Sequence, residues 1–415
     1  MSTLEAVRQL IRQGYRARPE DLADMAMQAA PLLGVSALVI YVVDHQQRLL
    51  LPLLGDRSPD SATTTIDGTL AGRAFSTLLP VRCEPEAGEE GVWVPLLDGS
   101  ERMGVLQVTA GQPLTDEAVA DCATVAALVG ELVVTGDLYS DTIERRRRRE
   151  PMKLAAEMLR GQLPPLTFAT SRTVIAGILE PCYDVGGDAF DYAVNDDTAH
   201  LALFDAVGHG SAGGMRTVVL ACIAIAAYRN ARRTGLDLVA TYRHIDQAIR
   251  AHDRNGMITA VLAELDQRSG VLEVISAGHP SGIVLRGGRV VMVLPTPTAL
   301  PVPYGDRRVP VVIEHALEPG DQVLLYTDGI VEARDRDGNP FGVDRLIAFA
   351  QRALAADLPA AETARRLVHA ILEYQDDRLQ DDATVLLLHW LGPIGADLSV
   401  ARAAQQTDES LEVEH

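Results

Sequence analysis

Four short stretches of the chain place aspartate at the boundary of an apolar run. Asp188 and Asp191 follow two glycines in VGGDAFD, and Asp205 ends LALFD before AVGHG. Asp328 ends VLLYTD before a glycine, and Asp381 and Asp382 precede ATVLLLHW. Glycine beside a strand-end carboxylate lets backbone carbonyls approach as well, and oxygen-only donors suit a hard divalent cation. Each stretch alone is first of all a turn signal. Four acids gathered at sheet ends, with no matching basic cluster in the same motifs, repel one another unless cations hold them, and Mg²⁺ or Mn²⁺ fits such a set. Two ions about 3.5–4 Å apart would clamp a phosphoryl group and activate a water for in-line attack.

Other chemistries fit less well. Gly208, Gly210 and Gly213 spell GxGxxG between a strand and a helix, the fingerprint of dinucleotide binding. That fingerprint also needs an acid about 20 residues on, at the end of a second parallel strand. Here RNARRTGLDLVATYRHIDQAI reads as loop and helix, which leaves a nicotinamide-linked oxidoreductase as the weakest of the readings. Lys153 is the sole lysine and has no glycine loop before it, which removes P-loop and protein-kinase chemistry. Cys83, Cys122, Cys182 and Cys222 show no CxxC or zinc spacing and read as ordinary thiols.

The elements that must position the aspartates occupy the second half of the chain. The 415 residues suggest two or three domains, and 47% hydrophobic with 23% charged residues is the balance of a folded protein. Residues 1–136 read as a compact α+β unit. Helical spacing marks Leu4–Ile11 and Leu22–Leu33, SALVIYVVD, RLLLPLL, GVWVPLLD and RMGVLQVT read as strands, and Thr115 caps a long apolar-faced helix. Residues 137–165 read as a helical linker whose run Arg145–Arg149 is a solvated, acid-flanked block. Residues 166–392 alternate apolar strands with Gly, Asp and Pro turns and carry a few long helices, which predicts packed antiparallel sheets flanked by helices. Residues 393–415 are a polar tail expected to be disordered.

A net charge of −20 argues against nucleic acid as a partner. The longest apolar run, Val218–Tyr228, is too short to cross a bilayer, so no membrane insertion is expected. The N-terminus MSTLEAVRQL has no apolar signal core, which predicts a cytoplasmic protein.

The ordered set VGGDAFD, DAVGHG, ISAGHP, EPGDQVLLYTDGIVEARDRDGNPFG and DDATVLLL resembles the metal-dependent Ser/Thr protein phosphatases of the PPM (type 2C) superfamily, in their SpoIIE/RsbU-like branch. AAEMLRGQLPP resembles the segment that enters this domain, and the first unit is similar to a GAF sensor domain in its order of strands and helices. The resemblance implies an αββα sandwich with a binuclear Mn²⁺ or Mg²⁺ site at one end. It implies that Asp205 bridges both ions, with the carbonyl of Ala206 completing one shell. Asp188 and Asp328 would ligate the second ion or its neighbour. Asp381 would close the site, with Asp382 as the adjacent alternative and Thr384 orienting the last-strand carboxylate. His209 and His279 are as readily turn-fixing residues as catalytic ones. Ala189 and the run Pro280-Ser281-Gly282 depart from the usual pattern at packing and substrate loops.

The resemblance further implies a phosphorylated STAS-domain anti-anti-sigma protein as substrate. A small ligand of unknown identity would act on the sensor, and a homodimer would form through the linker helix, where Leu154, Met158 and Leu159 recur at helical spacing. The rival from another class is a scaffold that keeps the fold only for binding. It would be marked by loss of a metal acid, and Asp188, Asp205, Asp328 and Asp381 are all present.

Overall fold

The computed structural model describes residues 3–55, 62–83, 89–184, 186–208, 214–295, 298–376 and 379–393. These form two compact units divided between Pro151 and Met152.

The first unit is built on one antiparallel sheet in the order β3-β2-β1-β6-β5-β4. Its strands are β1 (Ala37–Val43), β2 (Leu49–Pro52), β3 (Thr64–Thr65), β4 (Val81–Arg82), β5 (Glu90–Asp98) and β6 (Glu101–Ala110). Alternation assigns the two faces of β1. Leu38, Ile40 and Val42 pack with helices α1 (Thr3–Gly14), α2 (Leu22–Ala29) and α4 (Asp116–Asp137). Val39, Tyr41 and Val43 pack with α3 (Leu70–Thr77). The Thr115 side chain accepts the Ala118 N–H and so caps α4 as the sequence implies.

Two readings change here. Helix α4 is long and apolar enough by length and composition to cross a membrane, although charged residues interrupt its apolar run. Its Val119, Cys122, Val125, Ala126, Val129 and Val133 belong to the core of this unit. The linker carries two short helices, α5 (Thr142–Arg147) in the first unit and α6 (Leu154–Arg160) in the second, with non-helical residues including Pro151 between them. The arginine run is not merely solvated. Arg146 and Arg147 donate to the carbonyls of Pro52 and Val43 at strand ends, and Arg148 pairs with Glu144.

The second unit is a sandwich of two antiparallel sheets, one of five strands in the order β15-β12-β11-β10-β9 and one of six in the order β14-β13-β16-β17-β8-β7. The first comprises β9 (Asp188–Asn195), β10 (Thr198–Ala206), β11 (Ile258–Asp266), β12 (Val271–Ala277) and β15 (Ile313–Ala316). The second comprises β7 (Thr167–Ala169), β8 (Thr173–Glu180), β13 (Ile283–Arg286), β14 (Arg289–Val293), β16 (Gln322–Tyr326) and β17 (Ala383–Trp390). Leu386 and Leu388 of β17 face inward with Phe190 and Leu203, while Val385 and Leu387 face outward. Helices α7 (Gly214–Arg233) and α8 (Leu238–His252) cover the five-stranded sheet. Helices α10 (Gly342–Ala355) and α11 (Ala360–Tyr374) cover the six-stranded one, and a single turn, α9 (Asp328–Val331), follows β16. The expected α+β organisation with an αββα sandwich is the observed one.

Helix α6 buries Ala156 and Leu159 in this core, whereas Leu154 and Met158 stay exposed. Strand β9 was not read from the sequence, and residues 229–249 beyond the GxGxxG glycines hold the end of α7 and then α8, not a second parallel strand.

Candidate active site

The carboxylates are brought to one end of the sandwich by its two sheets. Asp188 opens β9 and lies directly opposite Asp205 near the end of β10. Ala206 N–H donates to the Gly187 carbonyl at 3.4 Å, so strand alternation makes Asp188 and Asp205 the neighbouring, close-approach pair without mutual backbone bonds. Both side chains follow Phe190 and Leu203 inward between the sheets. From the other sheet, β16 leads into Thr327 and Asp328, and Asp381 and Asp382 precede β17, its neighbour. The turns here need glycine. Gly187 has φ +146° and a Cβ there would meet Thr217 at 2.8 Å and the Ala206 carbonyl at 2.9 Å. A Cβ on Gly329 would lie 1.9 Å from the Asp382 carbonyl.

The adjacent acids Asp381 and Asp382 have different surroundings. Asp382 is 4% exposed, and its carboxylate accepts the N–H groups of Gly186, Gly187 and Asp188 at 2.6–3.1 Å. Asp381 is exposed and its Oδ1 accepts only the N–H of Asp382 among the described residues. Thr384 does not orient the last-strand carboxylate. Its hydroxyl and that of Thr327 both donate to Asp188 Oδ2 at 2.7 Å. Asp191, paired across to Ala202, is 1% exposed and bound by Arg229 and Arg232 of α7, a structural ion pair away from the other acids.

These acids perturb one another. Burial, then Asp382 and Asp205, drive the Asp188 carboxyl well above the usual range against the two threonine hydroxyls. Burial and the charges of Asp328, Asp381 and Asp382 push Asp205 up to about 7. Burial pushes Asp382 up to about 6 against its three N–H donors, and burial and Asp381 raise Asp328. The charges acting most strongly on all four are other carboxylates, the condition a divalent cation relieves. This oxygen-only donor set therefore fits Mg²⁺ or Mn²⁺. Among the described residues no three acids stand close enough to ligate one ion as they are.

Sequence reading missed Thr327, Thr259 and the cradle of N–H groups around Asp382. The pairing of YTDG with DDAT at neighbouring strand ends was the available signal for Thr327. His279 is buried and bonds Thr259 and the Tyr326 carbonyl. His209 lies outside the described residues, as do Gly210, Gly213 and the tail from 394.

Residues 195–391 match the family profile described as Stage II sporulation protein E (SpoIIE), a span that includes Asp205, Asp328 and Asp381 and begins after Asp188. Phosphoserine phosphatase RsbU of Bacillus subtilis is 20% identical over 217 residues, 52% of this chain and 62% of that protein, so the chain spans less than two thirds of this relative. Among solved structures, the SiaA-PP2C domain of Pseudomonas aeruginosa is 25% identical with a TM-score of 0.48, covering 57% of this chain and 94% of that one. The RsbU and RsbW domains of a Mycobacterium tuberculosis protein are 23% identical with a TM-score of 0.46, covering 59% and 71%. Across residues 195–391 the chain is therefore similar to the SpoIIE family, and in this segment it is RsbU- and SpoIIE-like.

Proposed function

We propose that the chain is a sensor-regulated protein serine/threonine phosphatase dependent on two Mn²⁺ or Mg²⁺ ions. The observation that carries this reading is the cross-strand pair Asp188–Asp205, facing Asp328 and Asp381 from the opposite sheet with carboxylates as their strongest charged neighbours. In this reading Asp205, Asp188, Asp328, Asp381 and the carbonyl of Ala206 bind the ions. Ions held there would supply Lewis-acid polarisation of a phosphoryl group and activation of water at neutral pH. The chain's own part is orientation. Thr327 and Thr384 fix Asp188, and Asp382 holds the Gly186–Asp188 turn that presents it.

RsbU is named as a phosphoserine phosphatase, and the substrate proposed here is likewise a phosphoserine or phosphothreonine, on a STAS-domain anti-anti-sigma protein of a cytoplasmic partner-switching pathway. The first unit would act as a GAF-like sensor for a small ligand. Exposed Leu154 and Met158 would pair two copies near the linker, which light scattering of the full chain tests: a monomer with and without signal sinks the dimer.

The enzyme reading is tested with the full chain on p-nitrophenyl phosphate and on a phosphoserine peptide, with Mn²⁺, with EDTA, and with Asp205→Asn. Mn²⁺-dependent release lost in a folded variant is expected. Equal release with EDTA, or release by the variant at the wild-type rate, would remove the site from these residues.

A further inference from the structure

Two polar side chains behind Asp205 have no part in that reading so far. Thr259 stands on β11 directly opposite Asp205 on β10. Its Oγ1 lies 3.5 Å from Asp205 Oδ2 and 2.7 Å from Nδ1 of His279. His279 is 3% exposed, and its Nε2 lies 3.2 Å from the carbonyl oxygen of Tyr326.

Hydrogen-bond direction follows from what each group can do. A carbonyl oxygen only accepts, so in the neutral ring Nε2 carries the proton and Nδ1 is left with a lone pair. Burial holds the ring neutral, with its pKa pushed down to about 4. The Thr259 hydroxyl has one proton and two acceptors before it, and the contact of 2.7 Å prevails over the one of 3.5 Å. Thr259 therefore donates to His279 and turns only lone pairs toward Asp205. Among the described residues no other donor reaches Asp205, in contrast to Asp188 with its two hydroxyls and Asp382 with its three N–H groups.

We propose that His279 and Thr259 are positioning residues for Asp205: by drawing off the one hydroxyl proton within reach, His279 leaves Asp205 Oδ2 open and reserves it for a divalent cation. The inference rests on the reading of Asp205 as a metal ligand and adds to it a reason why this carboxylate, unlike its neighbours, is left without donors. Replacing His279 by a side chain that cannot accept would return the Thr259 proton to Asp205, where it would compete with the ion.

Calorimetric titration of the metal-free full chain with Mn²⁺ tests this without recourse to turnover. His279→Leu is expected to weaken Mn²⁺ binding about 10-fold. His279→Gln, whose amide can accept from Thr259 and donate to Tyr326, should keep most of the affinity. Adding Thr259→Val to His279→Leu should restore binding, because no hydroxyl proton remains to compete. An affinity unchanged in His279→Leu, or a double variant as weak as the single one, would overturn the proposal while leaving the metal site in place. A wild-type chain that takes up no Mn²⁺ would overturn the metal reading itself and this inference with it. Nitrogen-15 NMR of the wild-type ring gives a readout free of any folding defect. Nδ1 should show the shift of an unprotonated, accepting nitrogen, and a protonated Nδ1 would sink the idea.

Discussion

The carboxylate of Asp382 receives the backbone N–H of Gly186 through both of its oxygens, at 2.7 and 2.6 Å, joining segments 196 positions apart in sequence. The same carboxylate takes the N–H groups of Gly187 and Asp188. A buried anion is thus spent on shaping a turn, and its exposed neighbour Asp381 is left for other work.

That contrast separates the two residues by experiment. Asp382→Ala leaves buried N–H groups unpaired and should destabilise the fold by about 1.5–3 kcal/mol, read by urea titration. Asp381→Ala should leave stability within about 0.5 kcal/mol yet lower Mn²⁺-dependent turnover at least about 100-fold. The reverse pattern would exchange their roles.

Thr327 and Thr384 share one oxygen of Asp188. Each change to valine is expected to lower turnover about 10-fold. Because either hydroxyl alone can hold the carboxylate, the double variant should lose more than the two single effects combined. A double-mutant cycle measures the excess, and strict additivity would show that the two act separately.

The raised carboxyls set the pH response of the metal-free protein. Asp205 titrates near 7 in the fold and Asp382 near 6, against about 3.9 for an unfolded aspartate. The folded state therefore binds more protons, and the stability they confer is full below about pH 4 and lost as pH rises through about 7. Thermal scans in EDTA should show the melting temperature falling across that window, with Asp205→Asn flattening the fall and Mn²⁺ abolishing it. A melting temperature that rises with pH over the same range would contradict the assigned shifts.

Asp191 provides a control. Removing it leaves Arg229 and Arg232 without their shared acceptor, and Asp191→Ala should cost about 3–5 kcal/mol. Mn²⁺ affinity of the folded fraction should not change, and a specific loss of metal binding would place Asp191 in the site after all.

The sandwich was legible because its strands are long apolar runs broken by Gly and Asp turns. Strand β9 was not, since DAFDYAVN carries two acids. One turns inward to the site and the other is neutralised by arginines some forty residues later, a partnership that no local pattern encodes. The choice between Asp381 and Asp382 was equally closed to the sequence, because the two are chemically identical and only backbone direction makes one a cradle. Thr384 was singled out but given the wrong carboxylate, because its hydroxyl reaches across the sandwich to Asp188 of the opposite sheet, a contact 196 positions away in sequence.

Asn195 and Thr198 pair at the head of the β9–β10 hairpin, joined by Asp196 and Asp197, with Asp196 at φ +51°. That two-residue turn serves as a ruler for the far end of the hairpin. One residue inserted there and absorbed as a slip of pairing would move Asp188 to the opposite face of the sheet from Asp205. Spacing between the two carboxylates is therefore written about 25 Å away from them, in a turn that touches no part of the chemistry.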